Sequence, residues 1–258
     1  MNSNKLNLYR ETAIEVLKGL SDQILTKKEQ GFRVIRKEER ELVTELDVFV
    51  QEHIKKSFKE ALGECEILSE EMIVPTSGLN SFWSVDPIDG THNFIAGLPG
   101  YGISAAYIED NEVLLGVICL PESGHLYHAT KDEGAYKDTK RISSSDVSDL
   151  SKSIISYDNQ FHLSDKSRMN YDSLINEAFT TRISGSSVVD SCFISEGSLS
   201  ARVYNSTKLC DIAAGIILVK EAGGIVSDFR GNDLDLENIS DVIFSAKGIH
   251  TKLVSLMK

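Results

Sequence analysis

A layered α/β fold is the architecture this sequence predicts, on three observations. Two amphipathic helices open the chain, strands separated by turn residues fill its middle, and strands alternate with helices through its second half. The 258 residues suffice for one large domain or two small ones, with a sizeable core either way.

The elements follow in order. Leu6, Tyr9, Ala13, Val16, Leu17, Leu20 and Ile24 recur at helical spacing and predict a helix over 6–25. Residues 27–40 are charge-rich around Gly31 and read as a loop or hairpin. Thr44 is a candidate N-cap, with Asp47 in the favourable first turn of a second helix reaching Leu62. Residues 65–68 read as a short strand and 74–81 as a loop. A strand over 82–85 then stops at Asp86-Pro87. Strands over 103–107, 113–120 and 125–129 are separated by Asp110-Asn111 and Glu122-Ser123-Gly124, with one more near 134–136. His125 and His128 fall on opposite faces of their strand, which favours exposed or packed histidines over a shared ligand. The Ser/Asp/Lys-rich stretch 138–152 is the candidate boundary between halves 1–145 and 146–258 of one compact unit. Beyond it, strands near 153–157, 181–183, 199–204, 225–228 and 242–245 alternate with helices near 165–179, 187–196, 211–222 and 248–257. Gly223-Gly224 is a good stop for the third of these helices.

Composition narrows the function classes. Lys plus Arg is 27 against 39 Asp plus Glu, a net charge of −12. That argues against non-specific binding to nucleic acid or an anionic membrane. An anionic small molecule remains compatible, because bound cations reverse a local field. Cys65, Cys119, Cys192 and Cys210 show no zinc-type spacing and sit in apolar surroundings, as reduced core cysteines do. No run approaches a membrane span, and residues 1–10 have no apolar signal core, so a cytoplasmic enzyme or binding protein is expected.

One stretch carries chemistry: Trp83-Ser84-Val85-Asp86-Pro87-Ile88-Asp89-Gly90-Thr91. An apolar run ends in two carboxylates three residues apart. Pro87 pushes Asp86 out of the helical region. Gly90 permits close backbone approach, and its amide and that of Thr91 are placed to meet an anion. Crowded carboxylates call for a hard divalent cation, and amides beside it suit a phosphate. The alternative is a surface turn, which Asp-Pro-x-Asp-Gly also makes well. Ser69-Glu70-Glu71 repeats the pattern of carboxylates after an apolar run, with a solvated loop as its alternative. Asp211 heads an apolar helix, where a plain N-cap Asp is structurally sufficient. No nucleophile elbow, P-loop or His-Glu-x-x-His is present.

The stretch from Trp83 to Phe94 resembles the first signature of the inositol monophosphatase family, and Asp211-Ile212-Ala213-Ala214-Gly215 with Glu221-Ala222-Gly223-Gly224 resembles the second. Glu41-Leu42-Val43-Thr44 with Asp47, and Ser69-Glu70-Glu71, are similar to two further family stretches in the same order. The resemblance implies an α-β-α-β-α sandwich, often homodimeric, and Mg2+-dependent hydrolysis of a small phosphorylated metabolite. It implies two or three Mg2+ ions, replaceable by Mn2+, with Li+ inhibitory. Carried over by position, Glu70, Asp86 and the Ile88 carbonyl hold one metal, and Asp86, Asp89 and Asp211 a second. Glu70 also contributes to a weaker third site, with Asp47 supporting through water, and Glu70 and Thr91 position the attacking water. Asp89, Gly90, Thr91, Gly185, Ser186, Ser187, Tyr204 and Arg36 (or Lys37) fall at substrate-contacting positions. Cys210 stands where the family usually has Trp, and Tyr204 where inositol-selective members tend to be acidic. The family resemblance implies an inositol 1-phosphate-like substrate, but these departures weigh against myo-inositol itself, and 3'-phosphoadenosine 5'-phosphate, fructose 1,6-bisphosphate and histidinol phosphate are the alternatives. A non-catalytic regulator is the competing class.

Overall fold

The structure is a computed structural model that describes residues 3–36, 42–69, 79–158, 160–162 and 164–257. Helix α1 (Ser3–Gln30) outruns its expected end by five residues. Lys27 and Lys28 complement the helix dipole in its last turn, and Lys28 is tied to Glu122 at 2.5 Å. Strands β1 (Val34–Arg36) and β2 (Leu42–Thr44) then pair antiparallel as a hairpin. Helix α2 (Glu45–Leu62) starts where the cap pattern placed it: Thr44 Oγ accepts from the Leu46 amide, and Asp47 Oδ2 accepts from the Thr44 amide at 2.7 Å and its hydroxyl at 2.6 Å.

A seven-stranded sheet follows, ordered β3-β4-β5-β6-β7-β8-β9. Its members are β3 (Ile67–Ser69), β4 (Ser81–Asp89), β5 (Gly102–Glu109), β6 (Glu112–Leu120), β7 (His125–Thr130), β8 (Gly134–Lys137) and β9 (Lys140–Arg141). All neighbours are antiparallel except the parallel pair β3/β4. Asp110 and Asn111 both take positive φ, as a two-residue hairpin of primed type requires. One expectation is corrected. β4 does not stop at Val85 but runs through Pro87 to Asp89, with a register shift between Asp86 and Asp89. Pro87 has no N–H for the ladder, and an irregularity at that point lets the strand continue past it. The short helix α3 (Thr91–Ala96), which the sequence reading did not predict, follows at once.

The second half alternates β10 (Ile154–Tyr157), α4 (Asp165–Glu177), β11 (Thr180–Arg182), α5 (Ser187–Ser195), β12 (Ala201–Tyr204), α6 (Leu209–Glu221), β13 (Ile225–Asp228), β14 (Val242–Ser245) and α7 (His250–Leu256). Its five strands form a second sheet, ordered β11-β10-β12-β14-β13.

Three apolar clusters fix the layers. Alternate residues of the large sheet, among them Trp83, Val85, Ile103, Tyr107, Leu115 and Val117, pack on Leu17, Ile24, Val50, Ile54 and Phe58 of α1 and α2. The opposite face, including Phe82, Ile108 and Ile118, packs on α5 and α6. Ala201, Val203 and Ile243 of the second sheet meet Leu174 of α4 and Leu253 of α7 on its outer side. Helices α5 and α6 therefore lie between two sheets, which gives the α-β-α-β-α sandwich. It also explains why nearly every position of α6 is apolar. Gly116 lets α6 approach, since a Cβ there would stand 2.6 Å from Ile217 Cγ2 and 2.8 Å from the Ala214 carbonyl.

Candidate active site

The C-terminal end of β4 delivers Asp86, Ile88 and Asp89 into the interior, at 2%, 1% and 7% exposure. Gly90 turns the chain in the left-handed region (φ 81°), where a Cβ would meet the Gly100 carbonyl at 2.7 Å. Thr91 opens α3 and donates its hydroxyl to the Ile88 carbonyl at 2.9 Å. Gly90 and Thr91 are half-buried, so this corner meets solvent.

Asp89 is the centre of the arrangement. Its Oδ1 accepts from the Ser187 amide and its Oδ2 from the Val188 amide, both at 3.1 Å, and the Ser186 hydroxyl donates to Oδ2 as well. One carboxylate from β4 thus satisfies the N-terminus of α5 across about a hundred residues of chain, the helix end where a negative charge is most favourable. Even so, burial pushes its pKa up to about 7, opposed by the Ser186 hydrogen bond and raised further by the negative charge of Asp211. Burial also raises Asp211, against hydrogen bonds from the Lys208 amide, Cys210 and Thr207.

Asp211 is not the N-cap. Lys208 holds that position, and Asp211 sits at the third residue of α6, where its Oδ2 accepts from the Lys208 amide at 3.2 Å. Cys210 Sγ lies 3.4 Å from Asp211 Oδ1, so the residue standing in for Trp bonds to the carboxylate beside it. Asp47 is buried at the head of α2, whose preceding strand β2 packs against α3.

Several expected roles are redirected. Ser186 and Ser187, placed among the substrate contacts, spend their hydroxyl and amide on Asp89. Tyr204 has no exposed surface. Its hydroxyl pairs with Ser191 at 3.3 Å, and its ring packs on Phe244, so it is a core residue rather than a lining one. Gly185 is exposed, with φ 76°. Arg36 ends β1 opposite Leu42, and its side chain lies outside the described set. Glu70 and Lys37 lie outside the described residues. Among the described residues, no group of three or more acidic, histidine or cysteine side chains gathers closely enough to hold an ion by itself.

The sequence reading missed what holds this corner together. Asn93 donates to the Gly100 carbonyl at 2.6 Å and the Ser184 carbonyl at 2.8 Å. Arg202, 4% exposed in β12, pairs with Asp190 of α5. The available signal was a lone Arg in a short apolar strand and a lone Asp in a helix with no other charge, two charges that demand each other in a core.

The donor set suits a divalent cation. Aspartate oxygens are hard donors, and Asp89 is held above the ordinary carboxylate range by burial and by the charge of Asp211. Arg202, a cation that draws Asp89 down, is committed to Asp190. A metal ion placed between Asp89 and Asp211 would relieve the repulsion.

Comparison with known proteins agrees with this layout. The model of the inositol monophosphatase family matches residues 5–258. The chain belongs to the inositol monophosphatase family. Members of that family are phosphatases, so the chain is a phosphoric monoester hydrolase. It is 32% identical over 218 residues to a fructose-1,6-bisphosphatase/inositol-1-monophosphatase of Thermotoga maritima, covering 84% of this chain and 83% of that one. It is 31% identical over 266 residues to an inositol monophosphatase of Dictyostelium discoideum, covering 100% and 97%. Among solved structures, an IMPase of Thermotoga maritima superposes with a TM-score of 0.87 at 30% identity, covering 95% of each chain.

Proposed function

We propose that this chain is a Mg2+-dependent phosphomonoesterase that hydrolyses a small phosphorylated metabolite by metal-activated water. The observation that carries the reading is the buried Asp89, within electrostatic reach of Asp211 at the end of β4 and anchored to the head of α5. Asp86, Asp89, Asp211, the Ile88 carbonyl and Glu70 are the groups that would hold two or three ions. Mg2+ held by these groups, or Mn2+ in its place, would supply a low-pKa water as nucleophile and would neutralise charge on the leaving oxygen.

The chain's own residues do the rest. The Asp89 carboxylate is fixed by three hydrogen bonds from the head of α5, so the lone pair left on Oδ1 has a set direction. Thr91 Oγ, which donates to the Ile88 carbonyl, would help orient the attacking water in this proposal. The half-buried Gly90 and Thr91 present the head of α3 to an incoming phosphate. Asp47 and Glu70 complete the water-positioning set in this proposal, with Arg36 or Lys37 and Gly185 near the substrate. Because Tyr204 is packed away, selectivity falls to the loop around Gly185 and the hairpin carrying Arg36.

Fructose 1,6-bisphosphate and inositol 1-phosphate are the leading substrates, since relatives at 30% identity or more carry those names. 3'-Phosphoadenosine 5'-phosphate and histidinol phosphate are the alternatives. Inhibition by Li+, a homodimeric state and a cytoplasmic location belong to the same proposal. The test is phosphate release from these four compounds with and without Mg2+. The expected result is Mg2+-dependent release with one preferred substrate. Release independent of added metal, or none from any of the four despite bound metal, contradicts the proposal, and the second outcome favours a non-catalytic regulator.

A further inference from the structure

The strongest unused feature of the molecule is an ion pair inside the helix layer between the two sheets. Arg202 is 4% exposed and Asp190 1%. Arg202 Nη1 donates to the Ser186 carbonyl at 2.7 Å, to Ser184 Oγ at 3.2 Å and to Asp190 Oδ2. Asp190 Oδ2 also accepts from Ser156 Oγ at 2.5 Å and lies 2.7 Å from Ser184 Oγ. The Tyr204 ring lies against the guanidinium at 4.6 Å.

A buried ion pair is a poor device for stability, because desolvation offsets much of the attraction and an apolar pair of similar volume does as well. What the pair does here is local. Every hydrogen bond made by Nη1 ends either on Asp190 or on the turn 184–186, immediately before α5. The same turn then uses Ser186 Oγ and the amides of Ser187 and Val188 to hold Asp89. From the other side, Asn93 Nδ2 grips the Ser184 carbonyl at 2.8 Å. The turn is a bridge between a buried charge and a carboxylate of the candidate metal site.

We propose that the Arg202–Asp190 pair is a positioning element that fixes the Ser184–Ser186 turn in the register at which the head of α5 orients Asp89 toward a bound cation. The inference rests on the metal-dependent reading above. Neither residue touches substrate; both act through Ser186 and the α5 amides.

Removing one partner outright strands the other charge, so two milder variants carry the test: Arg202→Lys, which keeps the charge without the guanidinium geometry, and Ser184→Ala. Each is stripped of metal and examined in three ways: thermal unfolding, Mn2+ titration by electron paramagnetic resonance, and hydrogen exchange at the amides of residues 187 and 188. Both variants are expected to unfold in one transition, to exchange faster at those two amides, and to need about tenfold more Mn2+ for half-saturation, the scale set by groups that orient metal ligands. A lowered melting temperature with unchanged exchange and unchanged Mn2+ affinity would make the pair purely structural and overturn the inference. If the unmodified protein takes up no Mn2+, the metal reading falls. The exchange measurement still decides whether the pair positions the turn.

Discussion

Asp89 is where sequence, fold and chemistry meet in one side chain. Its folded-state pKa, about 7, lies above the ordinary carboxylate value of 3.8, so the folded state binds that proton more tightly than the unfolded chain. In metal-free protein the contribution of Asp89 to stability is therefore fullest below the ordinary carboxylate range, and it is withdrawn as pH rises through about 7. Thermal melts in chelator from about pH 5 to about pH 8 should show a falling melting temperature, and Asp89→Asn should flatten the part due to this group. Saturating Mg2+ should offset the loss, because binding requires the deprotonated carboxylate. An identical pH slope in the wild type and in Asp89→Asn would remove Asp89 as the source. The sequence showed this residue as half of an Asp-Pro-x-Asp-Gly turn. Its partners, nearly a hundred residues away at the head of α5, were invisible because serines before an apolar helix are ordinary caps.

At the scale of elements, the helices between the sheets set the tolerances. Helix α6 lies on β6 at Gly116, where the space that a Cβ would need is closed by Ile217 and by the Ala214 backbone. Backbone cannot rotate away, so Gly116→Ala is expected to lower stability by about 1–3 kcal/mol through overpacking. Urea unfolding should show a lower midpoint with an unchanged slope, and an unchanged midpoint would mean that α6 is not seated as described. The strands and most helices were legible in periodicity, including α2 with its Thr44 cap and the strands flanking Asp110-Asn111. The short strands β2 and β9 were not, nor were two features beside the site. β4 passes through Pro87, where a proline argues for an end, and the register shift that permits it leaves no mark in composition. Helix α3 has six residues, too few to show a helical period.

Over the whole molecule, the two sheets and three helix layers bring the ends of β4, α5 and α6 to one corner, though these lie far apart in the chain. The family and its five-layer fold were readable in four ordered motifs, and those at β4 and α6 sit at element ends that the fold brings to this corner. The inner wiring was not, because Tyr204, Arg202 and Asp190 acquire their roles only through burial between the sheets. The central claim is that Asp89 serves a divalent cation on which hydrolysis depends. Steady-state phosphate release by wild type and Asp89→Asn, each titrated with Mg2+, tests it most directly. The account predicts saturable, Mg2+-dependent turnover in the wild type. In Asp89→Asn it predicts a loss of about a hundredfold or more, with the fold intact by thermal melt. Near-normal turnover in Asp89→Asn would contradict it.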